Sequence, residues 1–325
     1  MILAGDIGGT KTNIALFTPE QTGKPLAQRS FPSGKYDSLD SIVAEFITEH
    51  QPQVSRACFG IAGPVKDNRV KTPNLAWHVD GETLARTLKL ERVGLINDLE
   101  ATAYGIEGLS EAQLHALNEG VAESGGHRAL IAAGTGLGMA GLFYDGHHYR
   151  PIASEGGHTD YAPRTPLDYD LLRYMMEKVG GHVSYERVLS GPGLFNIYSF
   201  LRDRKFAAEP DWLAEEIGAG NPTAAVSAAG LTGKSELAVK ALDMFADIYG
   251  AMAGNLALIF KATGGLYIGG GIAPKLIEKL KDGTFMRAFT DKGRMSALVS
   301  SIPVRVILDD KTALYGAARC AAEQI

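Results

Sequence analysis

The stretch GDIGGTKTNIALF, residues 5–17, determines which type of fold the first part of the chain forms. Its first eight residues almost match the phosphate-binding pattern G-x-x-x-x-G-K-[ST], with Thr10 at the position of the second glycine. A loop of that type must lead into a helix, whose first N–H groups hold the phosphates. Residues 12–17 are instead β-branched and alternating, which predicts a strand. The stretch is therefore predicted to be a strand, a Gly/Thr turn and a second strand.

A second hairpin of this kind lies about one domain further along the chain. Residues 132–136 (AAGTG) precede a strand that ends at residues 141–143 (GLF). Residues 136–141 match G-x-G-x-x-G literally, but a dinucleotide-binding fold needs a helix at this point, and the residues predict a strand and a turn. The two hairpins indicate a duplicated α/β unit with a cleft between its halves.

Strands alternate with helices around these hairpins, which is typical of an α/β protein. Helices are predicted at 37–50, 81–90, 235–263 and 312–323, and strands at 56–65, 93–96, 266–268 and 304–308. The aliphatic stripe of 235–263 is interpreted as core, with a dimer interface as the alternative. Cys58, Cys320, Trp77 and Trp212 are interpreted as packing residues.

Composition restricts the function classes. The 325 residues carry a formal charge of −5, which argues against a broad nucleic-acid or membrane surface. Two cysteines cannot form a disulfide framework or a cysteine-rich metal site. We expect a cytoplasmic protein, because Met1 precedes the glycine loop without a basic region and no apolar run reaches about 18 residues.

The glycine turns are suited to phosphate. Glycines allow backbone N–H groups to approach anionic oxygens closely, although a single turn of this kind is equally a tight hairpin. Two such turns, together with Gly269–Gly271 after a strand, favour a nucleotide. Asp6 would then lie near the phosphates, where a carboxylate orients Mg²⁺ or its waters.

Longer motifs carry a family resemblance. GDIGGTKT, GIAGPV, LINDLEATAYG, AAGTGLGMAGL, SEGGH, YERVLSGPGL, IGGGIAPK and ALYGAAR occur in the order found in bacterial glucokinases, which share the sugar-kinase, Hsp70 and actin superfold. The resemblance covers Ile2 to about Ala322. Residues 159–185 contain no cysteine, unlike the related repressor/open-reading-frame/kinase group with its zinc cluster.

The resemblance implies a fold of two ribonuclease-H-like (actin-like ATPase) domains with a substrate cleft between them. The small domain would comprise 1–108 plus 309–325, with the first phosphate hairpin and the catalytic aspartate. The large domain would comprise 109–308, with the second hairpin, the sugar-binding loop and the adenosine contact. Sugar binding is expected to close the cleft and exclude water.

The implied reaction is transfer of the γ-phosphoryl group of ATP to the 6-hydroxyl of glucose, at the entry to glycolysis, with Mg²⁺ held through the ATP phosphates. A homodimer is expected, with no nucleic-acid or membrane partner. Asp98 is the expected catalytic residue. The sugar-binding residues are expected to be Asn97, Asp98, Glu155, His158 and Glu186. The nucleotide-binding residues are expected to be Gly5, Asp6, Ile7, Gly8, Gly9, Thr10, Gly134, Thr135, Gly136, Gly269, Gly270 and Gly271.

Structural alternatives exist for several of these residues. Asn97 and Asp98 also suit a helix cap, and Glu186 suits an ion pair with Arg187. Zinc at Glu155 and His158 is the weaker hypothesis, because few further ligands are near in sequence. The role of Lys11 stays open.

Two other functions remain open at this point. One is a kinase for another hexose, such as fructose, mannose or an N-acetylhexosamine. The other is an actin- or Hsp70-like ATPase that acts on a protein, although such an ATPase would not need Glu155, His158 and Glu186 together.

Overall fold

The computed structural model of the chain describes residues 1–72 and 75–325. Its strands are β1 (Ile2–Ile7), β2 (Lys11–Phe17), β3 (Ala27–Pro32), β4 (Arg56–Ile61), β5 (Arg69–Lys71), β6 (His78–Asp80), β7 (Gly94–Asn97), β8 (Leu114–Asn118), β9 (Arg128–Ala133), β10 (Leu137–Tyr144), β11 (Tyr149–Ser154), β12 (Gly265–Gly269) and β13 (Val304–Ile307). Its helices are α1 (Leu39–His50), α2 (Gly81–Leu88), α3 (Asp98–Gly105), α4 (Pro166–Val179), α5 (Gly191–Asp203), α6 (Asp211–Gly218), α7 (Pro222–Leu231), α8 (Glu236–Ile259), α9 (Ile277–Lys281), α10 (Thr284–Thr290), α11 (Ser296–Ser300) and α12 (Thr312–Gln324).

The chain divides into two compact units. The first contains residues 1–114, 148–153 and 309–325, and the second contains 115–147 and 154–308. The predicted small domain lies within the first unit, which includes 109–114 and 148–153 in addition. The predicted domain boundaries, and the closure of a cleft on sugar binding, stay predictions.

The sheet of the first unit has the strand order β3-β2-β1-β4-β7. β2 is antiparallel to both β1 and β3. β4 is parallel to both β1 and β7. The turn after Ile7 therefore leads from one strand into the next, as residues 5–17 predict, and the P-loop interpretation is excluded.

Alternation along β1 gives this sheet two different faces. Leu3 packs in a cluster with Phe46 of α1. Ile2 and Ala4 pack on the opposite face, with residues of α3 and α12. Asp6 follows Ala4 by two residues and therefore lies on the same face of the sheet as Ile2 and Ala4, which is the face that α3 and α12 cover. The sequence alternation thus places a carboxylate on the face of the sheet that these two helices cover.

The second unit repeats this arrangement. Its sheet contains β10-β9-β12-β13-β8 in that order. β9 and β10 form an antiparallel hairpin, and β12 is parallel to both β9 and β13. The strands β10-β9-β12-β13 have the same order and the same relative directions as β2-β1-β4-β7 of the first unit. This confirms the predicted duplication. β10 is a strand where a dinucleotide fingerprint would need a helix.

The long helix α8 lies in the core of the second unit. Ser235 caps it by accepting a hydrogen bond from the Ala238 N–H at 3.3 Å. Phe245 and Tyr249 are among its many buried residues, and each large apolar side chain buried in this way contributes about 1.5–3 kcal/mol. Among the described residues, α8 is the one helix long and apolar enough to cross a membrane, and 72% of its apolar window is buried inside the protein, as is usual for a core helix. The core interpretation of 235–263 is confirmed.

Three of the four predicted packing residues are buried. Cys58, Cys320 and Trp77 lie in the interior. The prediction for Trp212 is wrong, because its side chain is 38% exposed. α6 turns the adjacent Leu213 inward, and neighbouring residues of an amphipathic helix point about 100° apart.

Candidate active site

The turn between β1 and β2 is held from the end of β3. The Gly8 N–H donates to the Lys11 carbonyl at 3.0 Å. The buried hydroxyl of Ser33 donates to the Gly8 carbonyl at 2.8 Å, and the Ser33 N–H donates to the Thr10 carbonyl at 3.0 Å. These bonds fix the shape of the turn within the first unit.

Asp6 is a partly buried carboxylate beside this turn. Its pKa is raised to about 6, chiefly by burial. The charges of Asp98 and Asp310 raise the pKa further, whereas a hydrogen bond from Asn13 and the charge of Lys11 lower it. Oxygen ligands and concentrated negative charge suit a hard divalent cation.

Asn97 and Asp98 stand where β7 ends and α3 begins. The Asn97 amide oxygen accepts the Leu99 N–H at 2.9 Å, and its amide nitrogen donates to the Gly63 carbonyl at 2.9 Å. Asp98 also accepts the Leu99 N–H, at 2.9 Å. The helix cap that the sequence allowed is therefore present. The cap places the Asp98 carboxylate at the N-terminus of α3, where negative charge is favoured. A carboxylate held in this way is compatible with a catalytic role.

The turn between β9 and β10 lies against the start of α5. The Gly134 N–H donates to the Gly136 carbonyl at 2.9 Å, and the Gly134 carbonyl accepts the Gly191 N–H at 2.8 Å. Ser190 caps the 13-residue α5 by accepting the Gly193 N–H at 3.0 Å. A capped helix N-terminus thus supports the second glycine turn.

Glu155 and His158 flank a short 3₁₀ turn at 156–158. Glu155 Oε2 and His158 Nε2 lie 3.9 Å apart, and both side chains are mostly exposed. Gly157 allows a close approach, because a Cβ there would lie 1.9 Å from the Leu137 carbonyl oxygen. Among the described residues, no three His, Cys, Asp or Glu side chains come together as a metal site. The arrangement offers one acceptor and one imidazole to a small ligand.

Glu186 reaches the same strand end from another segment. Its Oε2 accepts the Leu137 N–H at 3.0 Å. Within the described chain this bond, and not an ion pair with Arg187, is the polar contact of the Glu186 side chain. The Ile272 N–H donates to the Ala133 carbonyl at 3.3 Å, which places Gly269–Gly271 beside the same turn.

The structure brings the predicted residues together within each unit. The first unit holds Gly5, Asp6, Ile7, Gly8, Gly9, Thr10, Asn97 and Asp98. The second holds Gly134, Thr135, Gly136, Glu155, His158, Glu186, Gly269, Gly270 and Gly271, gathered around 133–137. Gly5 and Ile7 are buried inside β1, whereas Gly8–Thr10 reach the surface. The roles assigned to these residues stay predictions.

Three supporting residues do not stand out as ligands in the sequence. Asn13 is a polar residue inside an apolar strand, which is a signal for a special contact. Ser190 precedes Gly-Pro-Gly, a pattern typical of a helix N-terminus. Ser33 has no local signal, because its contacts join residues 25 positions apart.

The chain resembles known proteins along nearly its whole length. A family model described as Glucokinase matches residues 3–324. The chain belongs to the glucokinase family. The glucokinase of Nostoc punctiforme is 43% identical over 337 residues, which cover 99% of each protein. The predicted family and the predicted activity of an ATP-dependent hexose kinase are thereby confirmed.

Solved structures agree with the glucokinase assignment. The crystal structure of a glucokinase from an Antarctic psychrotroph is similar with a TM-score of 0.84 and 32% identity, over 98% of both chains. A glucokinase of the ROK family from Streptomyces griseus, in complex with glucose and AMPPNP, is similar with a TM-score of 0.64 and 22% identity, also over 98% of both chains. The second likeness shows the fold alone. The predicted actin-like ATPase fold class is confirmed.

Proposed function

We propose that this member of the glucokinase family transfers the γ-phosphoryl group of ATP to the 6-hydroxyl of glucose, with Asp98 as the catalytic base. The observation that carries the proposal is the Asp98 carboxylate at the start of α3, held beside Asn97 and close enough to Asp6 to affect its pKa. Glucose is the substrate in the family name, and glucose with AMPPNP is what the Streptomyces griseus protein binds.

Asp98 would act on the attacking hydroxyl. Phosphoryl transfer depends mainly on positioning and on neutralisation of charge, and a carboxylate beside the nucleophile accepts its proton. As the bond between the sugar oxygen and the γ-phosphorus forms, the bond to the β-phosphate oxygen breaks and ADP leaves with that electron pair. The 6-hydroxyl proton moves to Asp98. The hydrogen bond from the Leu99 N–H holds the carboxylate in place throughout.

The remaining polar residues would bind the sugar. The carboxylates of Glu155 and Glu186 accept hydrogen bonds from hydroxyls, and the imidazole of His158 donates or accepts one. Asn97 would orient the sugar beside Asp98. A site that uses each hydroxyl in this way rejects analogues that lack one, because its own polar groups would then be unpaired. This favours a hexose.

The glycine turns would hold the nucleotide. Gly8–Thr10 and Gly134–Gly136 offer backbone N–H groups to the phosphates, and Gly269–Gly271 would lie against the adenosine. Asp6 supplies one carboxylate, and the described residues contain no cluster of three metal ligands. This fits Mg²⁺ that is held mainly by the ATP phosphates and not by protein side chains alone. When bound, Mg²⁺ neutralises phosphate charge, and Asp6 would orient its waters.

One experiment tests the reaction. ADP release from MgATP would be measured with glucose, fructose, mannose, N-acetylglucosamine and no sugar. We expect turnover with glucose and very little without sugar. Preference for another hexose would correct the substrate, and steady turnover without sugar would replace the kinase by an ATPase that acts on a protein.

We also propose a cytoplasmic homodimer without a nucleic-acid or membrane partner. The net charge of −5 supports the absence of a broad polyanion-binding surface. Sedimentation equilibrium would test the dimer, and a mass of one chain across the concentration range would contradict it.

A further inference from the structure

Residues 186–191 contact the second glycine turn on both of its sides. The Glu186 carboxylate accepts the Leu137 N–H at 3.0 Å, on the side where β10 begins. The Gly191 N–H donates to the Gly134 carbonyl at 2.8 Å, on the side where β9 ends. The Ser190 hydroxyl donates to the Glu186 carbonyl at 2.8 Å and ties the segment together. A displacement of Glu186 would therefore act on the turn.

The sugar-binding loop contacts the same strand residue. Gly157 lies against the Leu137 carbonyl, and the Tyr185 N–H donates to the Thr159 carbonyl at 3.0 Å. The N–H group of Leu137 thus faces Glu186, and its carbonyl faces Gly157, which lies between Glu155 and His158 of the proposed sugar site.

The Glu186 carboxylate has the capacity for a second partner. Oε2 is occupied by the Leu137 N–H, while Oε1 accepts no hydrogen bond from the described residues. A carboxylate accepts hydrogen bonds at both oxygens. A sugar hydroxyl at Oε1 would leave the Leu137 bond intact and would restrict the rotation of the carboxylate.

We propose that Glu186 is a positioning residue that couples sugar binding to nucleotide binding through its hydrogen bond to Leu137. The inference rests on the proposed function, in which Glu186 contacts the sugar and Gly134–Gly136 contact ATP. Sugar binding orders the carboxylate and, through Leu137, the turn. The nucleotide then loses less conformational freedom on binding, which gives positive cooperativity without a large structural change. By linkage, the nucleotide raises sugar affinity by the same factor.

The test is a binding cycle that does not depend on turnover. The glucose dissociation constant would be measured by calorimetry with and without saturating MgAMPPNP. The ratio of the two constants is the coupling factor. We expect a factor of about ten for the unaltered protein, within the usual range for allosteric coupling. In E186A, which lacks both contacts, the factor falls to about one by the same relation.

Two further variants separate positioning from folding. E186Q keeps an amide oxygen for the Leu137 N–H and an amide group for the sugar, so it is expected to recover part of the coupling. E186D is one methylene too short to reach both partners, so its factor stays low. Thermal unfolding without ligands checks that each variant is folded. If E186A does not fold, E186D decides the test.

The matched control is E155Q, which alters a sugar-binding carboxylate that pairs with His158 rather than with the turn. We expect weaker glucose binding but an unchanged coupling factor. Full coupling in folded E186A or E186D, equal loss in E155Q, or no coupling in the unaltered protein would each overturn the inference. If the unaltered protein bound no glucose at all, the proposed function itself would fail, which is a different result.

Discussion

The amide nitrogen of Asn13 lies 3.3 Å from Asp6 Oδ2, across the hairpin in which these two residues are direct partners. Asn13 is held in turn by the Ser30 hydroxyl, which donates to its amide oxygen at 2.6 Å. The hydrogen bond to Asp6 favours the ionised carboxylate, whereas burial and the charges of Asp98 and Asp310 favour the protonated form. The result is a pKa of about 6, so ionised Asp6 at neutral pH costs stability.

We expect D6N to stabilise the protein at pH 7.5 by about 3 kcal/mol, because a difference of one pKa unit between the folded and unfolded states corresponds to about 1.4 kcal/mol. The folded pKa of about 6 lies above the ordinary value of 3.8, so the native state binds the Asp6 proton more tightly. The corresponding stability is present below about pH 4 and is lost as the pH rises through 6. The advantage of D6N should therefore grow between pH 4 and pH 7.

Denaturant unfolding of D6N and of the unaltered protein across this pH range is the measurement. D37N is the matched control, because Asp37 is exposed, and its effect should be small throughout. A D6N effect that does not change with pH would contradict the explanation.

D98N should lower kcat by about 10²–10⁴-fold, the usual contribution of a general base, and should leave glucose binding nearly unchanged. The amide still accepts the Leu99 N–H that Asp98 accepts at 2.9 Å, but it cannot take up the hydroxyl proton. Steady-state kinetics and glucose calorimetry would be compared. E100Q removes the same charge two residues further along α3 and should remain active. Near-normal turnover of D98N would remove Asp98 from the mechanism.

E155Q and H158A should each raise the KM for glucose by about 10- to 100-fold, because a hydrogen bond that involves a charged group contributes about 1.5–3 kcal/mol. The KM for ATP should change much less. H50A is the control, because His50 forms a comparable pair with Glu49 at 3.8 Å and neither residue belongs to the proposed site. A larger effect on the ATP constant would relocate the sugar site.

G316A should destabilise the first unit by about 3 kcal/mol or more, at the upper end of overpacking effects. A Cβ at Gly316 would lie 1.7 Å from the Ala101 carbonyl oxygen, so α12 could not stay packed on α3. Denaturant unfolding would measure the loss. G108A is the control, because a Cβ there meets no atom within 4 Å. Equal stability of G316A and G108A would show that α12 can shift without cost.

Much of the fold was accessible from local pattern. The alternation in residues 12–17 distinguishes a strand from the helix of a P-loop because side chains of a strand alternate between two faces. The end of a helix or strand was less predictable. α1 begins at Leu39 rather than at Asp37, and β4 ends at Ile61 rather than at Val65. Trp212 was misjudged because an apolar residue does not reveal which face of its helix is covered.

The sequence by itself determined the two glycine turns, the strands around them and the family, because hairpin geometry and alternation act over a few residues. Only the tertiary structure decided what surrounds each candidate residue. Glu186 meets Leu137 across 49 positions, and the pKa of Asp6 is raised by burial and then by the charges of Asp98 and Asp310, which are distant in sequence. Hydrogen bonding and desolvation depend on distance in space, which no local pattern of residues specifies.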